Sequence, residues 1–145
     1  MTKSVKVTVT DRDGRQYAST GSAWEPVIGY SRAVRAGNTI HVTGTVGVEA
    51  DGTFAPTMKG QAKRALEIII AAIEALGGSV GDVVRTRIYV TDISKWEEVG
   101  QAHGDVFAHI RPATTMVEVA RLIDGAALVE IEADAHLSPE ESPLL

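Results

Sequence analysis

In the segment Val129-Glu130-Ile131-Glu132-Ala133-Asp134-Ala135-His136 polar and apolar residues alternate without a break. A strand here carries Glu130, Glu132, Asp134 and His136 on one side and its apolar residues on the other. Three carboxylates and an imidazole in one row are groups that take up and release protons. A second alternation, Val84, Thr86, Ile88 and Val90 against Arg85, Arg87 and Tyr89, places opposite charge within reach of that row. The stretch Ala113–Ala120 divides into Thr115, Val117 and Val119 on the apolar side and Thr114, Met116 and Glu118 on the other. The resulting face, with Met116, Tyr89, Arg85 and Arg87 beside the carboxylates, is mixed rather than greasy. Rows of opposite charge pair well across a symmetric interface between copies. They suit equally a water-facing sheet whose ion pairs are each worth about 0–1 kcal/mol. The spacing leaves both readings open.

Other chemistries find less support. With no cysteine there is no thiol nucleophile, disulfide framework or thiolate zinc site. His41, His103, His109 and His136 include no pair three or four apart on one helix, so no metal site is expected. His103 falls on an apolar helix face and reads as a core or boundary residue. The run Ser94–Glu98 reads as a solvated helix start whose acids suit the amino-terminal dipole. No phosphate loop or dinucleotide fingerprint is present, and no cofactor is expected. Lys and Arg number 14 against 19 Asp and Glu, a net charge of −5, and the cations are spread along the chain. That balance lacks the basic stripe phosphate backbones require, which disfavours nucleic acid as a partner. The longest apolar stretch, Ile68–Ile73, is far short of the ~20 residues of a membrane helix, and a cytoplasmic protein without membrane attachment is expected.

The elements that must position these groups follow from periodicity. The 145 residues, 44% of them apolar, suffice for one domain with its own core, burying roughly 68–70% of the unfolded surface. Val5, Val7 and Val9 alternate with Lys6 and Thr8, and Asp13-Gly14 turns the chain into Arg15–Ser19, giving an amino-terminal hairpin within residues 1–19. Thr20–Gly29 reads as an ordered loop in which Trp24 either lids a site or packs the loop down. Gly37-Asn38 joins Arg32–Ala36 to Thr39–Val48 as a hairpin. Ala62, Leu66, Ile69, Ile70, Ile73 and Leu76 form one face of a helix over Thr57–Leu76, stopped by Gly77-Gly78. Asp92 caps a second helix with Trp96, Val99, His103, Val106, Phe107 and Ile110 on one side, ended by Pro112. Strands Ala113–Ala120 and Ala127–His136 close the domain, and Leu137–Leu145 reads as a loosely held tail. The order predicts a single α+β domain over residues 1–145: a mixed sheet with both helices on one face and the other face bare.

Three separated stretches resemble a known family. Pro112-Ala113-Thr114-Thr115-Met116-Val117-Glu118-Val119-Ala120-Arg121-Leu122, followed by Val129-Glu130-Ile131-Glu132-Ala133, is similar to the carboxy-terminal pattern of the Rid (RidA/YjgF) family of reactive-intermediate deaminases. Gly29-Tyr30-Ser31-Arg32-Ala33-Val34 through Gly37-Asn38 to Val42-Thr43-Gly44 resembles its first hairpin, and Gly81-Asp82-Val83-Val84 leading to Tyr89-Val90-Thr91-Asp92 its middle strand. The resemblance runs from about Gly29 to His136. It implies a chorismate-mutase-like fold, a homotrimer, and small-molecule sites in the clefts between subunits. It also implies hydrolysis of imines or enamines, releasing ammonia.

The resemblance assigns residues one by one. Glu130 takes the place of the glutamate that positions the attacking water; its alternative role is an ion pair with an arginine across the interface. Tyr30 matches a tyrosine at the cleft mouth, its alternative being an ordinary amphipathic residue at a strand start, and Thr43 and Gly44 match a small hydroxyl residue and a glycine beside the ligand, where backbone must come close; Gly44 reads equally as a strand bulge. An arginine two residues after the proline forks onto the substrate carboxylate in the family; here that position is Thr114. A hydroxyl lacks the charge-assisted hydrogen bonds, each worth roughly 1.5–3 kcal/mol. Arg111 and Arg32 are candidate replacements for the missing cation, each with an alternative reading as an ordinary ion pair. Met116 completes the candidate substrate-binding set. A non-catalytic ligand-binding trimer is the reading from another class, and an endoribonuclease is a third that the acidic balance disfavours.

Overall fold

The computed structural model describes residues 4–139; the expectations for residues 1–3 and for 140–145 of the tail fall outside them. Strand β1 (Thr8–Arg12) turns through Asp13 and Gly14, both at positive φ (53° and 77°), into β2 (Arg15–Ser19). Two central residues at positive φ are what a type I′ hairpin demands. Helix α1 (Trp24–Ile28) follows, then β3 (Ala33–Ala36) and β4 (Thr39–Val46). Gly37, at φ 60°, takes the first central position of the turn between these two strands. The rest of the chain is helix α2 (Met58–Ala75), β5 (Val83–Val90), helix α3 (Trp96–Phe107), β6 (Ala113–Glu118) and β7 (Val129–His136). The seven strands form one sheet in the order β1-β2-β3-β4-β7-β5-β6, antiparallel except for the parallel pair β5–β6.

Helix α2 starts on the Thr57 hydroxyl, which accepts from the Gly60 N–H at 3.1 Å. It ends where the Gly78 N–H reaches the Ile73 carbonyl and Gly77 takes φ 89°. Its apolar side lies across β4 and β7 and packs against α3, so that Ile40, Leu66, Ile69, Ile73, Ile88, Val129 and Ile131 share one core. The opposite face of β4, β7 and β5 carries no helix.

One buried polar residue of α2 holds the loops that frame the bare face. The Gln61 amide donates to the Ala55 and Ala126 carbonyls (2.9 and 3.1 Å), and its oxygen accepts from the Leu128 N–H at 2.8 Å. Gln61→Leu removes the partner of three part-buried backbone groups and is expected to cost about 1–3 kcal/mol of stability, read as a shifted midpoint in urea unfolding.

Several expectations need correction. Thr20–Gly29 contains helix α1, because the Glu25 carboxylate accepts from the Ser22 N–H at 3.1 Å and Gly29, at φ 88°, ends the turn on the Glu25 carbonyl. The first strand begins at Thr8 and is exposed throughout, while Val7 packs beside the core. A bulge between Val83 and Arg85 turns Val83 inward and leaves Val84 44% exposed. Asp92 caps a 3-10 turn, Ile93–Lys95, rather than the helix itself, and Trp96 stands 54% exposed at the start of α3. In the parallel β5–β6 register Thr86 lies beside Thr114 and Ile88 beside Met116. Partners in register share a face, so Thr114 and Met116 belong to the helix side and Val117, 42% exposed, to the bare side, the reverse of the expected split.

Candidate functional site

Strand β4 loses its register with β7 between Val42 and Thr45, and the bulge presents Thr43 and Gly44. The Thr43 hydroxyl donates to the Ser31 carbonyl at 2.7 Å, tying the bulge to the chain entering β3. Arg32 ties it a second time: Nη1 donates to the Gly44 carbonyl (2.9 Å) and to Thr45 Oγ1 (3.2 Å), and Nη2 donates to the Tyr30 hydroxyl (3.2 Å). Its guanidinium also stands 5.4 Å from the centre of the Tyr30 ring. Arg32 is only 7% exposed, its Nε has no partner among the described residues, and none of their carboxylates lies within ion-pairing distance of it.

Glu130 sits across the bulge, in register with Val46 of β4 and Tyr89 of β5. A Cβ on Gly44 would stand 2.7 Å from Glu130 Oε1, so the absence of a side chain at 44 is what lets the carboxylate lie against the backbone. Burial pushes the Glu130 carboxyl above its ordinary pKa; Arg32 pulls it back and Glu132 adds to the rise. Among the described residues the Glu130 side chain has no hydrogen-bond partner. Its neighbour in the row is occupied by contrast: Glu132 accepts from the Tyr89 hydroxyl at 3.1 Å and from Arg87 at 3.4 Å. Arg87 also reaches Asp134 (3.3 Å), which in turn meets His41 Nδ1 at 2.7 Å. Burial and the bond to Glu132 raise the Tyr89 pKa, so the phenol stays protonated.

A cavity of about 370 Å³ opens on Glu130, lined by Gly44, Tyr89, Val119, Arg121, Leu122 and Glu132. That is the volume of a small-ligand site. A half-buried carboxyl with a raised pKa and free oxygens at the wall of such a cavity is equipped to take a proton from water and return it. Gly44→Ala is expected to leave the fold intact and to push the carboxylate aside. A displacement of about 1 Å costs roughly a hundredfold in turnover, to be read in steady-state rates beside an unchanged melting temperature.

The sequence-based candidates separate into two groups. Tyr30, Arg32, Thr43, Gly44 and Glu130 come together around the bulge. Arg111, Thr114 and Met116 do not join them. Arg111 holds a left-handed conformation (φ 56°) in the turn between α3 and β6, and Met116 packs beside the core. Thr114 bonds to Thr86 Oγ1 at 2.8 Å, and Thr86 to His103 Nε2 at 2.9 Å. Burial lowers the His103 pKa and favours the neutral ring. The buried Thr86 donates its one proton either to His103 or to Thr114. In the first case Thr114 donates to Thr86, in the second to the Pro112 carbonyl 3.2 Å away, so outward it offers lone pairs only. Thr114 and Glu130 lie on opposite faces of one sheet and cannot meet within a chain. Sequence reasoning missed Tyr89, Glu132 and Arg121 as cavity residues. Arg121 was signalled only by its place at the end of the Pro112–Leu122 stretch.

The fold and this cavity define a class: a mixed sheet covered on one side by helices, with a small-molecule pocket at a bulge on its bare side. A family model described as endoribonuclease L-PSP matches residues 20–137. The chain belongs to this family, also known as the Rid or YjgF/UK114 family. A crystal structure of a Mycobacterium tuberculosis protein described as a member of the YjgF/YER057c/UK114 family is 49% identical, covers 85% of this chain and 99% of its own, and superposes with a TM-score of 0.79. A 2-iminobutanoate/2-iminopropanoate deaminase of Dermatophagoides farinae is 30% identical over 81% of this chain and 93% of its own. The structure of E. coli TdcF with bound serine is 28% identical, covers 75% of this chain and 88% of its own, and has a TM-score of 0.71. No helix among the described residues is long and apolar enough to cross a membrane.

Proposed function

We propose that the protein is a cytoplasmic homotrimer that hydrolyses a small imine or enamine at clefts between its subunits. Glu130 carries this reading: a half-buried carboxyl, raised in pKa, unpartnered among the described residues and open to a cavity. In the reaction Glu130 takes a proton from a water as its oxygen bonds to the carbon of the N-protonated imine, giving a carbinolamine. Glu130 returns that proton to nitrogen, and as the C–N bond breaks the hydroxyl proton passes back to the carboxylate, so ammonia and a carbonyl compound leave. An enamine first takes a proton on carbon from the protonated Glu130 carboxyl, which gives the iminium and leaves the carboxylate ionised. Arg32, braced by the Tyr30 hydroxyl, holds the Gly44 carbonyl, Thr43 pins the bulge, and Gly44 gives the ligand access to the backbone. Arg111, Thr114 and Met116 belong to a neighbouring chain's edge of the same cleft, which agrees with Thr114 and Glu130 lying on opposite faces. The deaminase among its relatives supports the reaction class.

The test couples an amino-acid oxidase, which releases imines, to the purified protein and follows keto-acid appearance. Acceleration over the uncatalysed rate is expected, and its absence would remove the hydrolytic reading. One observation favours the non-catalytic alternative: Thr114 presents no cation and no outward proton. In that case a ligand would raise the melting temperature while Glu130→Ala left every measured rate unchanged.

A further inference from the structure

Two guanidinium groups near Glu130 have no carboxylate partner among the described residues. Glu132 shares its charge with Arg87, at 3.4 Å, and Asp134 does the same at 3.3 Å. Against these, Arg32 lies buried behind the Gly44 carbonyl without an ion-pair partner. Arg121 lines the cavity itself, and among the described residues its side chain has neither a hydrogen bond nor an ion pair. Arg32 is buried behind the bulge, where Nη1 donates twice, Nη2 donates to the Tyr30 hydroxyl and Nε is enclosed, and it does not line the cavity. Arg111 is not among the cavity residues. Arg121 is therefore the guanidinium in this wall with open donors, and a guanidinium offers the paired N–H groups that match a carboxylate.

Val119 donates to the Val90 carbonyl at 2.8 Å, so the chain leaving β6 is fixed beside the end of β5, and Arg121 follows two residues later over the cavity that Tyr89 and Glu130 floor. Val119 and Leu122 supply apolar wall on either side of it in sequence. We propose that Arg121 binds the carboxylate of an α-imino acid, and of the α-keto acid formed from it, in place of the cation missing at Thr114. This rests on the hydrolytic reading of Glu130 for the identity of the reacting group, but the carboxylate contact is testable without turnover. A ligand so held has its carboxylate at Arg121 and its C=N carbon toward Glu130, while Thr114 of the neighbouring chain accepts from the nitrogen.

The experiment measures calorimetric binding of 2-oxobutanoate and of its uncharged amide, 2-oxobutanamide. The proteins are the parent, Arg121→Gln, Arg121→Lys, Glu130→Gln and, as a control for general charge, the exposed Lys63→Ala. The Kd for 2-oxobutanoate is expected to rise roughly 10- to 100-fold in Arg121→Gln. It should recover in part in Arg121→Lys and stay at the parent value in Lys63→Ala, and the Kd for the amide should not respond to Arg121. Melting temperatures establish that each variant is folded. Equal affinity of the parent and Arg121→Gln for 2-oxobutanoate, or no binding of it by the parent, overturns the proposal. Arg121-dependent binding in a protein that accelerates no imine hydrolysis would uphold the carboxylate site and remove the hydrolytic reading instead.

Discussion

Glu130→Gln is expected to slow imine hydrolysis by roughly a hundred- to ten-thousand-fold, because the amide keeps the shape of the side chain and loses the proton transfer. The same substitution carries a stability signature of opposite sign. The carboxyl has a raised pKa in the folded protein, so the folded state holds its proton more tightly than the unfolded chain does. Its contribution to stability is present below the unfolded carboxylate pKa and is lost as pH rises through the folded one. The variant, which does not titrate there, should therefore gain stability relative to the parent between mildly acidic and neutral pH. In the parent, kcat/KM should rise with pH through the same raised value, since the base must be ionised to act. A rate unaffected by Glu130→Gln would leave the cavity without its proposed acid and base.

Val117→Lys is expected to dissociate the proposed trimer. Val117 lies in register with Tyr89, which is itself in register with Glu130, so it belongs to the row that faces away from the helices. In the proposed trimer three such faces close on one another, so a lysine at this position meets a neighbouring chain. A charge left unpaired in an interface costs several kcal/mol, which lowers association at least a hundredfold or so. Sedimentation at low micromolar concentration should show lighter particles than the parent, and imine hydrolysis should fall with them. The chain itself should keep its fold, because the substitution is on a surface that no helix covers. An unchanged mass with full activity would move the interface elsewhere.

Much of the architecture was legible because it rests on periodic burial. Val129, Ile131, Ala133 and Ala135 alternate with Glu130, Glu132, Asp134 and His136 over the whole of β7, and a strand in the middle of a sheet leaves that pattern no freedom. Helix α2 showed itself in the same way, with a threonine at its start and glycines at its end. Strand β6 was misread because it is an edge: Thr115, Val117 and Val119 have the branching of core residues, but the β5–β6 register assigns Met116 to the core side. Helix α1 was illegible because five residues carry less than two turns of periodicity and its stabilising contact, Glu25 to the Ser22 N–H, is local and polar.

Part of the candidate cluster was legible as residues, and none of it as geometry. Glu130, Gly44, Thr43, Tyr30 and Arg32 were all singled out, but nothing in their spacing says that Arg32 would be buried behind the Gly44 carbonyl instead of reaching into the cavity. That depends on a bulge in β4, which shifts the register after Val42 and has no residue signature beyond one glycine. The opposition of Thr114 and Glu130 across the sheet was likewise hidden, because it follows from the parity of an edge strand.

Everything proposed for Glu130 requires that a second chain cover its cavity and bring in the far edge of the cleft. Equilibrium sedimentation of the parent in dilute solution tests this most directly. Three chains of 15.4 kDa amount to about 46 kDa, the mass expected of the proposed trimer. A particle that stays at 15.4 kDa while hydrolysing imines at full rate would contradict it.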